Sequence, residues 1–161
     1  MVCRVYSIQG GEIVRIYMDA CSLNRPFDDL SQDRVYLEAE AVLSIISHCE
    51  KGTWTLIKSN AIYYELSNIS DAERFEKVQA LYSSANERIT LTTEAEQRAK
   101  HFQNNGVKPF DSIHLALAET YKVDVILTTD DRLLKASKRL NVKIKTANPI
   151  AWLVEVMNNE N

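Results

Sequence analysis

IVRIYMD, residues 13–19, is a short run of β-branched and apolar side chains that stops at an acid. It has the length and composition of a strand buried on both faces rather than a helical turn. VDVILTTD, residues 123–130, repeats the pattern late in the chain, an apolar run followed by two threonines and an acid. Between and after them TWTLIK (53–58), RITL (88–91) and VKIK (142–145) read as three further strands.

The intervening segments carry helical periodicity. After a polar loop with Asn24, Pro26, Asp28 and Asp29, the residues Val35, Ala39, Val42, Leu43, Ile46 and Cys49 recur at helical spacing, predicting a long amphipathic helix that ends near Gly52. Ser59 is placed to cap a helix burying Ile62, Leu66 and Ile69, and Asp71 starts another with Phe75, Val78 and Tyr82 inward. Thr93 and Glu96 fit a capping box, Pro109 suits the first turn of a helix reaching Tyr121, DRLLKASKRL reads as a helix, and Asn148 with Pro149 opens a last one ending near Met157. Strands alternating with helices predict one α/β domain, a three-layer arrangement of a mostly parallel five-stranded sheet with helices on both faces. Residues 1–12 are expected to be an N-terminal extension, 13–157 the domain and 158–161 a tail.

Composition narrows the function classes. The chain has 161 residues, 45% hydrophobic and 25% charged, with 4 Gly and 3 Pro, enough for one core without cross-links. Cys3, Cys21 and Cys49 show no paired spacing, and His48, His101 and His114 are scattered, which argues against a disulfide scaffold or a zinc centre. No stretch approaches the roughly 18 apolar residues of a membrane span and no signal peptide is evident, so a cytoplasmic protein is expected. The net charge of −3 argues against binding nucleic acid through a broadly basic surface.

In parallel α/β sheets, ligands sit beyond the C-terminal strand ends where strand order reverses. Asp19 and Asp130 directly follow two strands, Glu65 lies on the helix after the second, and Asp111 in the first turn of the helix before the fourth. Four acids from separate segments could converge there. Crowded carboxylates repel one another and call for a cation, and an all-oxygen donor set suits Mg²⁺ or Mn²⁺.

The motifs MDACSLNR around Asp19, YYELSN around Glu65, PFDSIHLALA around Asp111 and LTTDDRLL around Asp130 resemble, in order and spacing, those of the PIN domains, over residues 13–147. The resemblance implies a metal-dependent endoribonuclease, often the VapC-type toxin of a type II toxin–antitoxin pair. It implies Asp19, Asp111 and Asp130 as metal ligands, Glu65 as a ligand or water-positioning group, Thr128 as the hydroxyl of a T-x-D motif, an antitoxin partner and a homodimer. Many members carry a small polar residue two places after the first acid; here that position is Cys21, with Ser22 next to it. Setting the four acids aside leaves 18 acidic against 19 basic side chains, a remainder of +1 that does not repel RNA.

Arg25, Lys108 and Arg132 flank three of the acids; Arg25 is the expected phosphate contact, and Thr128 is expected with it among the substrate-binding residues. Asp28, Asp29, Asp33, Asp124 and Asp131 read as loop, cap or structural acids. His114 reads as a packing or hydrogen-bonding residue, Cys21 as a small buried side chain, and Trp54 and Trp152 as core or partner-facing. A haloacid-dehalogenase-like hydrolase would want an acid at position 21, and a response-regulator receiver paired acids after the first strand. The remaining alternative is a non-catalytic PIN-like module that binds RNA or protein.

Overall fold

Apolar runs bounded by polar turns become five short strands, and the helical stripes between them become eight helices among the described residues. The computed structural model describes residues 13–159, so the expected extension and the last two residues of the tail lie outside it. The order is β1 (Arg15–Met18), α1 (Ala20–Asn24), a 3-10 turn (Arg25–Phe27), α2 (Asp33–Glu50), β2 (Thr55–Ser59), α3 (Asn60–Leu66) and α4 (Ala72–Tyr82). Then come β3 (Glu87–Ile89), α5 (Thr93–Asn104), α6 (Pro109–Thr120), β4 (Val125–Leu127), α7 (Asp131–Arg139), β5 (Lys145–Ala147) and α8 (Pro149–Asn158).

The sheet order is β3-β2-β1-β4-β5, and every pairing is parallel. The chain builds outward from β1 in one direction and then returns to β1's other side, so the direction of the crossovers changes once, after β3. α2 packs with α8, and α5 with α6. Covered on both faces, the central strand is buried along Ile16, Tyr17 and Met18. Trp54 and Trp152 are both buried and meet edge to face, with ring centroids 4.9 Å apart, so both are core residues.

Several caps stand where the sequence puts them. Ser59 Oγ accepts the Ile62 N–H at 3.0 Å, Asp71 accepts from Glu73 and Arg74, and Asn148 Oδ1 accepts from Ile150 at 2.8 Å. Asp124 accepts the Arg15 N–H at 2.7 Å and is structural, tying the start of β4 to β1.

Four expectations differ. The stretch after Asp19 is not a plain loop: Asp19 itself caps the five-residue α1. α5 is capped by Thr92, whose Oγ1 accepts the Ala95 N–H at 3.1 Å, one residue before the expected Thr93. Leu43 is exposed, because the buried stripe of α2 runs through Ala39, Val42, Ile45, Ile46 and Cys49, and Leu43 sits a third of a turn away from it. β5 falls at Lys145–Ala147 rather than 142–145. Val142 remains tied to the end of α7 through its N–H on Ser137 O, and β4 offers partners only in the register Val125↔Lys145 to Leu127↔Ala147.

Candidate active site

The reversal of strand order falls between β1 and β4. There the Asp19 N–H reaches Leu127 O at 3.2 Å, extending the ladder to the carboxylate itself. Asp19 is 2% exposed. Its Oδ1 accepts the Ser22 N–H at 2.9 Å, while its buried Oδ2 has no hydrogen-bond partner. Burial raises its pKa above the usual carboxylate value, and the Thr128 hydroxyl and the Ser22 N–H pull it back down.

Asp130 caps α7, its Oδ1 accepting the Arg132 N–H at 2.9 Å. Its own N–H donates to Thr128 Oγ1 at 3.0 Å. Thr128 is fully buried. Its hydroxyl oxygen therefore holds the start of α7 at Asp130, and the hydroxyl lowers the pKa of Asp19. Asp111 lies in the first turn of α6, opened by Pro109 as expected. Its pKa is pushed up to about 6, first by burial and then by the charge of Asp19, with Glu65 and Asp130 adding to it.

Glu65, near the end of α3, places Oε1 2.8 Å from His114 Nε2. His114 is completely buried and its Nδ1 lies 2.7 Å from Tyr17 Oη. It is a hydrogen-bonding residue, one helical turn from Asp111.

A cavity of about 560 Å³ opens at this rim, its wall including Cys21, Arg25, Asp28, Glu65 and Asp130. A smaller one of about 160 Å³ is lined by Lys108, Asp111, Asp130 and Arg132 among others. Asp130 is common to both, so the two hollows adjoin at that carboxylate. Cys21 is exposed rather than buried. Desolvation against the cavity wall, then the charges of Asp19, Asp111, Asp130 and Glu65, push its thiol up to about 12, so it is no nucleophile at neutral pH. Glu65 and Asp130 line the larger hollow, and Asp111 and Asp130 the smaller. The acids are not drawn together as ligands of a bound ion would be: among the described residues no three His, Cys, Asp or Glu side chains form a ready metal site.

Arg25 lines the larger cavity but is already engaged, its Nη1 3.1 Å from Asp28 and its Nε 3.1 Å from Glu38. Sequence reasoning passed over Glu38. It is fully buried and also meets Arg34 at 3.4 Å and the Asn148 amide. Arg34 in turn grips Asp131, beside Asp130, at 2.8 Å. Ser22, buried beside Asp19, supplies the support that Cys21 does not, its Oγ–H donating to Leu127 O at 3.1 Å.

A family model, PIN domain, matches residues 16–139, a span containing all four acids. The chain belongs to the PIN domain family. PIN domains are generally nucleases that use divalent metals. Solved structures share this PIN domain's fold. PAE2754 from Pyrobaculum aerophilum aligns with a TM-score of 0.57 at 16% identity, covering 94% of each chain. VapBC2 from Rickettsia felis, bound to a DNA fragment from their promoter, aligns with a TM-score of 0.54 at 13% identity, over 83% of this chain and 98% of that one. No curated protein matches the sequence. No helix among the described residues is long and apolar enough to cross a membrane.

Proposed function

We propose that this PIN domain is a cytoplasmic, metal-dependent endoribonuclease that hydrolyses RNA phosphodiester bonds as the toxin of a type II toxin–antitoxin pair. The observation that carries the proposal is the buried Asp19, with Oδ2 unpartnered, beside an Asp111 whose pKa is pushed up to about 6. Such a cluster is short of positive charge, and its donors are all oxygen, which fits Mg²⁺ or Mn²⁺. Asp19, Asp111 and Asp130 would hold the ion. When bound, it would supply Lewis-acid polarisation of the phosphate and a more acidic water.

The remaining roles belong to the chain's own side chains. Glu65, held through Oε1 by His114, orients the attacking water and takes its proton. Thr128 keeps Asp130 and Asp19 in place. Lys108 and Arg132, at the smaller cavity beside Asp111 and Asp130, are placed for flanking phosphates. Arg25 would join them by exchanging Asp28 for a phosphate oxygen.

Residues 13–157 are the catalytic unit in this proposal, with 1–12 an appended arm and 158–161 a tail. A homodimer and a separate antitoxin that covers the acidic rim complete it, and a small reading frame adjacent to this gene is the first place to look for the antitoxin. The VapBC2 neighbour, a pair of proteins by its description, supports the antitoxin.

The test is cleavage of RNA by the purified protein with Mn²⁺. Activity is expected, abolished by EDTA and reduced at least a thousandfold by Asp19→Asn. Activity that survives either treatment overturns the metal mechanism. The alternative reading, a non-catalytic RNA- or protein-binding module, predicts no cleavage under any metal.

A further inference from the structure

Behind Glu65 runs a line of hydrogen bonds that a set of four carboxylates does not by itself require. Ser59 Oγ, already accepting the Ile62 N–H as the cap of α3, is 2.9 Å from Tyr17 Oη. Tyr17 Oη is 2.7 Å from His114 Nδ1, and His114 Nε2 is 2.8 Å from Glu65 Oε1. Ser59, Tyr17 and His114 are all buried; only Glu65 reaches the cavity. Replacing two bonded core groups by apolar ones of similar shape is nearly neutral for stability, so Phe and Leu would serve packing alone at positions 17 and 114.

The chemistry of the groups sets a direction. An ionised Glu65 only accepts, so His114 Nε2 carries the hydrogen and donates it. With Nε2–H as the donor, Nδ1 is left to accept in the relay. Tyr17 O–H donates to Nδ1, and its oxygen accepts from Ser59 Oγ–H. Every hydrogen in the line finds an acceptor, and all of them point toward the carboxylate. The imidazole is also clamped, with the Phe110 ring near-parallel at 6.3 Å and the Tyr17 ring tilted at 5.6 Å.

We propose that Tyr17 and His114 are positioning residues for the reaction: a one-way relay Ser59→Tyr17→His114→Glu65 fixes His114 as the Nε2–H tautomer and holds Glu65 by Oε1. Oε2 is thereby left to the water in the cavity, and Glu65 acts on that water rather than as a ligand. The relay ties the carboxylate to β1, the same strand that delivers Asp19, so water-handling and metal-holding acids keep a constant spacing. This role rests on the nuclease reading above; the tautomer itself does not.

The experiment has two arms on the full-length protein. In ¹⁵N NMR of the wild type, with the His114 signals assigned by their loss in His114→Gln, the ring should be protonated at Nε2 with an acceptor-type Nδ1. Tyr17→Phe should mix the tautomers. In Mn²⁺-dependent RNA cleavage, Tyr17→Phe should lower kcat about tenfold with KM little changed. His114→Gln, whose amide can still donate near the Nε2 position, should retain more kcat than His114→Leu. An Nδ1–H or doubly protonated ring in the wild type overturns the relay, as does an unchanged kcat in Tyr17→Phe or a Gln variant no better than Leu. If Tyr17→Phe does not fold, the wild-type spectrum and the two His114 variants decide. A wild type that cleaves no RNA overturns the nuclease reading and with it the positioning role, while the spectrum still decides the hydrogen-bond direction.

Discussion

Asp111 shows how one side chain records the charge state of the rim. In the folded protein its pKa is about 6, against 3.8 ordinarily. The folded state therefore binds a proton that the unfolded chain has released, and stability falls as pH rises from about 4 to about 6. Asp111→Asn should flatten that fall in the metal-free protein. At pH 7 it should stabilise by about 1–2 kcal/mol, a value discounted because the carboxyl is only partly buried. Thermal melts of both proteins in EDTA across pH 4–8 would check this, and a variant less stable than the wild type at pH 7 would show that the carboxylate is not repelled there. The acids were legible in the sequence because each stands at a strand end or a first helical turn. Tyr17 and Glu38 were not, since each sits inside an apolar pattern and only the fold reveals what its polar atoms meet. The one cue was physical: a tyrosine in a strand covered on both faces must find a partner for its hydroxyl.

Helices and strands were legible as elements and less so at their ends. α5 illustrates the limit. Two adjacent threonines stand at its start, and Thr93 with Glu96 satisfies the capping-box pattern, yet it is Thr92 whose hydroxyl accepts the Ala95 N–H. Thr92→Ala should cost about 1 kcal/mol in urea unfolding, and Thr93→Ala, at an exposed position, a few tenths at most. Equal losses would return the cap to Thr93. β5 was displaced for a different reason: alternating Val142, Lys143, Ile144 and Lys145 has strand periodicity, but register belongs to the partner strand and is not written in the segment itself. α1 escaped because five residues are too few for periodicity to show, and the acid that starts it was read only as a site residue.

At the scale of the whole molecule, Glu38 joins parts far apart in sequence, gathering Arg25, Arg34 and Asn148 around one buried carboxylate. Glu38→Ala leaves those partners facing an empty space and should destabilise by about 2–4 kcal/mol in denaturant unfolding. A loss within a few tenths would mean that solvent screens the network. Under the proposed metal mechanism, an ion would act on the whole molecule in the opposite sense. Mn²⁺ at about a hundred times its dissociation constant should raise folding stability by about 2.7 kcal/mol in the wild type, read as an increase in Tm, and much less in Asp19→Asn. No shift in the wild type would argue against a metal site. The sheet order has a last consequence, in time rather than in space. β1 is made first but bonds to β4, and the contact between Arg15 and Asp124 spans 109 residues. During synthesis Asp19 emerges before Asp130 and waits for it, so the rim cannot assemble until β4 and the start of α7 have been made. Parallel pairing over such a separation is also slow to nucleate. If the proposed nuclease reading holds, a domain built this way stays inert until β4 and the acid that follows it have been translated.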